Sequence, residues 1–98
     1  MVLEVAHLQV VEGRGDEFVV AFEEAQKIIS SMVGYRSHEL MKCLEHEDKY
    51  LLLVLWATLE DHEIGFRQSN EYQEWKRLLH HFYDPFPTVE HYETLLSG

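Results

Sequence analysis

A chain of 98 residues, 46% of them hydrophobic, has enough apolar surface for one modest core and too little for two. Eighteen carboxylates against eight Lys and Arg leave a formal charge of −10, which argues against nucleic acid and against an anionic membrane surface as partners. The single cysteine, Cys43, excludes an intrachain disulfide and a Cys-rich zinc site.

The chain begins MVLEVAHLQVVEG, with an acidic residue at position 4 and no basic segment ahead of the apolar one, unlike a secretory leader. No apolar run approaches the roughly 20 residues that span a bilayer. With one unpaired cysteine, these features predict a cytoplasmic location. Residues 2 to 11, VLEVAHLQVV, read as a strand closed by the turn Glu12-Gly13-Arg14-Gly15. Alternation puts Leu3, Val5, His7 and Gln9 on one face and Glu4, Ala6, Leu8 and Val10 on the other. From Asp16 the period changes to that of a helix, with Phe18, Phe22, Ala25, Ile29 and Met32 on one side and Val33-Gly34 as the stop.

YRSHELMKCLE reads as a second strand, His46-Glu47-Asp48-Lys49 as a reversal, and YLLLVLW, Tyr50 to Trp56, as a third strand paired to the second. The third strand is apolar on both faces, so both faces need cover. Thr58-Leu59-Glu60-Asp61 has the form of a capping box and predicts a short helix, broken at Gly65 and Ser69-Asn70. A second helix is expected from Glu71, with Tyr72, Trp75, Leu79 and Phe82 on its apolar side, ending at Asp84-Pro85-Phe86-Pro87. TVEHYETL, residues 88 to 95, supplies a last strand.

The order β-α-β-β-α-β predicts an α+β, ferredoxin-like fold, a single domain over residues 1–98 with a four-stranded antiparallel sheet and two helices on one face. The helices leave the other face bare. A second copy of the chain is the economical cover, so a homodimer through the sheet face is expected.

Four segments in this order, VEGRGDEF, GYRSHEL, VLWATLEDHEIGF and SNEYQEWKRLLHHF, resemble the antibiotic biosynthesis monooxygenase family of dimeric α+β barrels, and the tail DPFPTVEHYE fits the family's closing strand. The resemblance implies a cavity between helices and sheet in each subunit. It also implies cofactor-independent oxidation of a small phenolic, quinol or polycyclic aromatic substrate by O2, or a non-catalytic dimeric ligand-binding or structural module on the same fold. The haem-degrading branch of the family uses an Asn, a Trp and a His at positions that hold Ala6, Phe66 and Lys76 in an ungapped reading, so haem degradation is not expected.

A cofactor-free oxygenase needs a base near neutral pKa, a donor to hold the resulting anion and a dry aromatic pocket. Of seven histidines, His46 in the hairpin turn and His62 in a first helical turn are expected in solvent. His7, between two apolar residues on its strand face, and His80, beside His81 on the second helix, are the candidate catalytic bases, each with a packing role as the alternative. Trp56, Phe66, Tyr72, Trp75 and Phe82 read either as a substrate-binding lining or as plain core, the core reading placing Trp56 beneath the second helix. Tyr83 and Tyr92 are candidate donors. No HxH, HxxxH or HExxH spacing occurs and no phosphate loop follows a strand, so neither a metal nor another cofactor is expected.

Overall fold

The computed structural model describes all 98 residues. Its elements are β1 (Val2–Gln9), α1 (Gly15–Ile29), β2 (Tyr35–Lys42), β3 (Lys49–Trp56), a π-helical segment (Asp61–Phe66), α2 (Asn70–Leu79), a 3-10 turn (His80–Phe82) and β4 (Thr88–Tyr92). The strands lie in the order β2-β3-β1-β4 and every neighbouring pair is antiparallel, which is the ferredoxin-like arrangement read from the sequence. No helix is long and apolar enough to cross a membrane.

One face of the sheet is dry. Ala6 and Leu8 of β1, Val10 just beyond it, and Tyr50, Leu52, Val54 and Trp56 of β3 are all buried beneath the helices. The helix α1 contributes Phe18, Phe22, Ala25 and Ile29, the residues its 3.6-residue period selects. Phe18 meets the rings of Tyr50, Phe82 and Tyr83 at centroid distances of 5.1, 5.8 and 5.8 Å. Each such side chain contributes roughly 1.5–3 kcal/mol of burial.

The opposite face is not covered by any helix. Register places His7 across from Leu51, Val5 across from Leu53 and Leu3 across from Leu55. The five aliphatic residues in these rows are half-exposed and His7 is exposed.

Two local devices lead the chain from β3 into its second helical layer. The capping box forms as expected: Thr58 N donates to Asp61 Oδ2 (3.2 Å) and Asp61 N donates to Thr58 Oγ1 (3.1 Å). Gly34 lets this cap sit close to the start of β2. Its φ is +84°, and a Cβ there would fall 2.1 Å from Asp61 Oδ2, so no other residue fits without displacing the cap. Gly65 does not break the segment as expected but lies inside it, where Arg67 N donates to His62 O (3.0 Å) across five residues. Ser69 Oγ accepts from Tyr72 N (3.1 Å), so Ser69 caps α2 and the helix starts at Asn70, one residue early.

Candidate active site

A cavity of about 60 Å³, open on one side, lies between the sheet and the second helical layer. Its floor is Glu4, Ala6 and Leu8 from β1 with Leu52 and Val89 from the strands on either side. Phe66, Tyr72 and Trp75 form the aromatic wall, the Phe66 ring standing nearly perpendicular to Tyr72 (5.2 Å) and Trp75 (5.5 Å). His62, Arg67, His80, Tyr83, Phe86 and Pro87 complete the lining, and Phe86 is 68% exposed. A cavity that takes up a benzene ring measures about 150 Å³. The cavity is open to solvent on the side where Phe86 packs edge-on against His80 at 5.2 Å, so a bound aromatic would lie partly in its mouth.

The structure brings His80, Phe66, Tyr72 and Trp75 together and places three other expected residues elsewhere. His7 lies on the bare face of β1 and not in the cavity, because side chains two residues apart share a face and the cavity takes the set that includes Glu4 and Ala6. Trp56 is fully buried behind the wall, stacked on His62 at 5.4 Å. Phe82 packs on Phe18, and the Arg14 guanidinium lies over its ring at 4.6 Å. His80 and His81 diverge as adjacent helical residues must, His80 half-buried toward the cavity and His81 exposed.

His62 reverses its expectation. It is 3% exposed, because the Thr58–Asp61 cap turns the segment back over the sheet and the first helical turn faces inward. There it joins a buried polar chain. Glu4, 6% exposed, accepts through Oε1 from Trp56 Nε1 (3.0 Å), and the same oxygen faces His62 Nε2 at 3.3 Å. His62 Nδ1 is 2.7 Å from His91 Nε2, and His91 Nδ1 is 3.9 Å from Glu63 Oε1 at the surface.

Burial sets the charges here. It pushes the Glu4 carboxyl up to about 7, against the opposing pull of the Trp56 hydrogen bond and the Arg67 charge. Burial, then the charges of Arg67 and His91, pushes His62 down to about 3. His80 is lowered by burial and then by Lys76. Burial raises Tyr83 and Tyr72, so both keep their phenolic protons and can donate to an anion in the cavity. Arg67 is the one Lys or Arg in the lining.

Sequence reading passed over Glu4, although its position among the inward residues of β1 was a visible signal. A carboxylate between Val2 and Ala6 on a buried face needs partners. Those partners, 52 residues away at Trp56 and farther along at His62 and His91, follow only from the sheet register and the folded-back segment.

Residues 1–78 match the sequence profile of the antibiotic biosynthesis monooxygenase family. The chain is 61% identical over 93 residues to the uncharacterized protein YczJ of Bacillus subtilis (strain 168), spanning 95% of this chain and 98% of that one. A candidate antibiotic biosynthesis monooxygenase from Bordetella bronchiseptica superposes with a TM-score of 0.93 at 29% identity over 97% of each chain. A mutant of SnoaB, a cofactor-independent oxygenase from Streptomyces nogalater, superposes with a TM-score of 0.84 at 14% identity, covering 98% of this chain and 94% of its own, a likeness of fold alone.

Proposed function

Because the chain belongs to the antibiotic biosynthesis monooxygenase family, we propose that it is a cofactor-independent monooxygenase acting with O2 on a small phenolic, quinol or polycyclic aromatic substrate. The observation that carries this reading is a single cavity that joins an aromatic wall to a buried carboxyl near neutral pKa and to one cation.

For a ring methylene activated by a phenol, the balanced reaction converts one methylene and one O2 into one carbonyl and one water. A base takes one C–H proton, the delocalised anion gives an electron to O2, and the radical pair joins through a C–O bond. The resulting peroxide anion takes up a proton. Loss of the second C–H proton then breaks the O–O bond, and hydroxide leaves as water after protonation. Carbon loses four electrons and O2 gains four. The protein's part is to hold the anion and move the protons, with Arg67, Tyr72 and Tyr83 facing the anion and Phe66 and Trp75 keeping water out. His80 and Glu4 are the two wall groups able to accept the first proton. Oxygen uptake with a panel of quinols and anthrone-like phenols tests the reading. Uptake above buffer supports it, and uptake at the buffer rate across the panel selects the non-catalytic binding module instead.

A second copy of the chain is proposed as the cover of the bare sheet face. The paired rows Leu3–Leu55 and Val5–Leu53, with Leu51 beside them, form a continuous aliphatic stripe, and such stripes are uncommon on monomers. Sedimentation at micromolar concentration should give twice the 11.6 kDa chain mass, and a stable species at 11.6 kDa would refute it.

A further inference from the structure

We propose that Glu4 is the base of the cavity and that His62, His91 and Glu63 are the route by which its proton exchanges with solvent. The proposal rests on the oxygenase reading for its chemistry and on geometry for its path.

Glu4 divides its two oxygens between two tasks. Oε1 holds both protein contacts, the indole of Trp56 at 3.0 Å and His62 Nε2 at 3.3 Å. Oε2 has no protein partner, and no buried side-chain oxygen or nitrogen in the structure lacks one, so Oε2 is open to the cavity that Glu4 lines. The carboxylate is thus fixed in orientation through one oxygen and available to a ligand through the other, the preorganisation that a base requires. His80, the other wall candidate, makes no side-chain hydrogen bond that would fix its ring; only aromatic edges, those of Tyr72, Tyr83 and Phe86, surround it.

The chain behind Oε1 runs from buried to exposed without a gap wider than 3.9 Å. Exposure rises along it, from His62 at 3% through half-buried His91 to exposed Glu63. At 2.7 Å, His62 Nδ1 and His91 Nε2 share one proton, which leaves two self-consistent arrangements of neutral rings. In the first, His62 carries its proton on Nε2, facing the ionised Glu4 at 3.3 Å, and His91 Nε2–H donates to His62 Nδ1. In the second, Glu4 is protonated, His62 Nδ1–H donates to His91 Nε2, and His91 carries its proton on Nδ1, toward Glu63. Moving each proton one bond inward converts the first into the second. One proton enters His91 Nδ1 from the Glu63 side and one arrives on Glu4, and no atom is left charged that was not charged before except at the two ends. The reverse sequence returns a proton from Glu4 to solvent after the carboxyl group turns about its Cγ–Cδ bond and brings the protonated oxygen to His62 Nε2. The charged and titratable groups that face this path are Arg67 from the π-helical segment, Tyr72 from α2 and Tyr83 after the 3-10 turn.

The experiment needs no ligand for its first arm. In the full chain, labelled with nitrogen-15 and carbon-13, the Glu4 carboxyl should titrate near neutrality, and the His62 and His91 rings should exchange tautomers over that same step. Glu4→Gln should abolish the step in both rings. Tautomers that stay fixed while Glu4 titrates overturn the route. In the second arm, 4-nitrophenol bound without oxygen should appear as the phenolate in the wild type and as the neutral phenol in Glu4→Gln; equal ionisation in both overturns Glu4 as the base. In the third arm, Glu4→Gln should lower kcat about 10²- to 10⁴-fold. His91→Phe should lower kcat with KM kept and with rate restored by added imidazole, and a wild-type kcat and pH profile in His91→Phe overturns the route. An intact tautomer step with no oxygen uptake in the wild type would remove the oxygenase reading and leave the proton path standing.

Discussion

Strand β1 carries one ionisable residue on each face, Glu4 inward and His7 outward, and their surroundings have nothing in common. Glu4 is held by groups from β3 and from the π-helical segment, and through His62 by β4 as well. His7 is exposed and forms no side-chain hydrogen bond or ion pair. The inward position admits a carboxylate only because three other elements satisfy it, so its chemistry is built into the fold; the outward position constrains its residue hardly at all. The same contrast runs across the whole sheet, between a helix-covered face of buried side chains and a bare face of half-exposed ones.

The contrast is broken most severely from the covered side. Phe18→Ala, at a site with no exposure and four aromatic neighbours, should lower stability by about 3–5 kcal/mol, read from chemical denaturation. Next in size is the cost of charging Glu4. Its folded pKa is raised from 4.5 to about 7, so the folded state holds the extra proton and stability falls as pH rises through that window, by about 3 kcal/mol in all. His62 is lowered from 6.5 to about 3, so it acts in the opposite sense, with stability lost as pH falls through that range. The two partly cancel between 4.5 and 6.5, and the comparison of wild type with Glu4→Gln isolates the Glu4 part. The variant should gain on the wild type as pH rises from 4.5 to 7, and parallel stability curves would contradict the buried-acid assignment.

Leu53→Lys probes the bare face. Leu53 sits opposite Val5 there, so the substitution should weaken self-association by about 2 kcal/mol, roughly thirtyfold in the dimer constant, while the chain stays folded. Sedimentation equilibrium beside a thermal melt separates the two effects. The smallest effect is expected for His7→Ala placed in that Leu53→Lys background, within about 0.5 kcal/mol by denaturation, since an exposed side chain without hydrogen bonds has little to lose. A larger loss there would mean that His7 has a role within the single chain.

The period-2 and period-3.6 patterns carried the element order, the topology and most of the core, because local geometry alone decides which of Phe18, Phe22, Ala25 and Ile29 share a side. The capping box at Thr58 was equally legible, since both partners lie within one turn. The site was legible in its aromatic wall and in His80 but not in its polar chain. Glu4, His62 and His91 are separated by 58 and 29 residues in sequence, and the turn that buries His62 contains the glycine that local reading treats as a break. His7 drew attention by its apolar neighbours, but alternation cannot say which face of a strand the helices will choose.

The π-helical segment also bears on how such a site can arise and be lost. A π turn is an ordinary helical turn with one residue added, and the surplus is absorbed locally instead of shifting the rest of the chain. Here the surplus lies between His62 and Arg67, with Gly65 in the middle. Deleting a single residue in that interval would restore a regular helix and rotate one flank by about 100° relative to the other, with α2 still cappable by Ser69. His62 and Arg67 would then no longer both face Glu4. A one-codon length change is thus a mutational route between a sheet that handles protons and one that merely packs, and the spacing from Trp56 to Ser69 is the character by which to sort descendants of the fold.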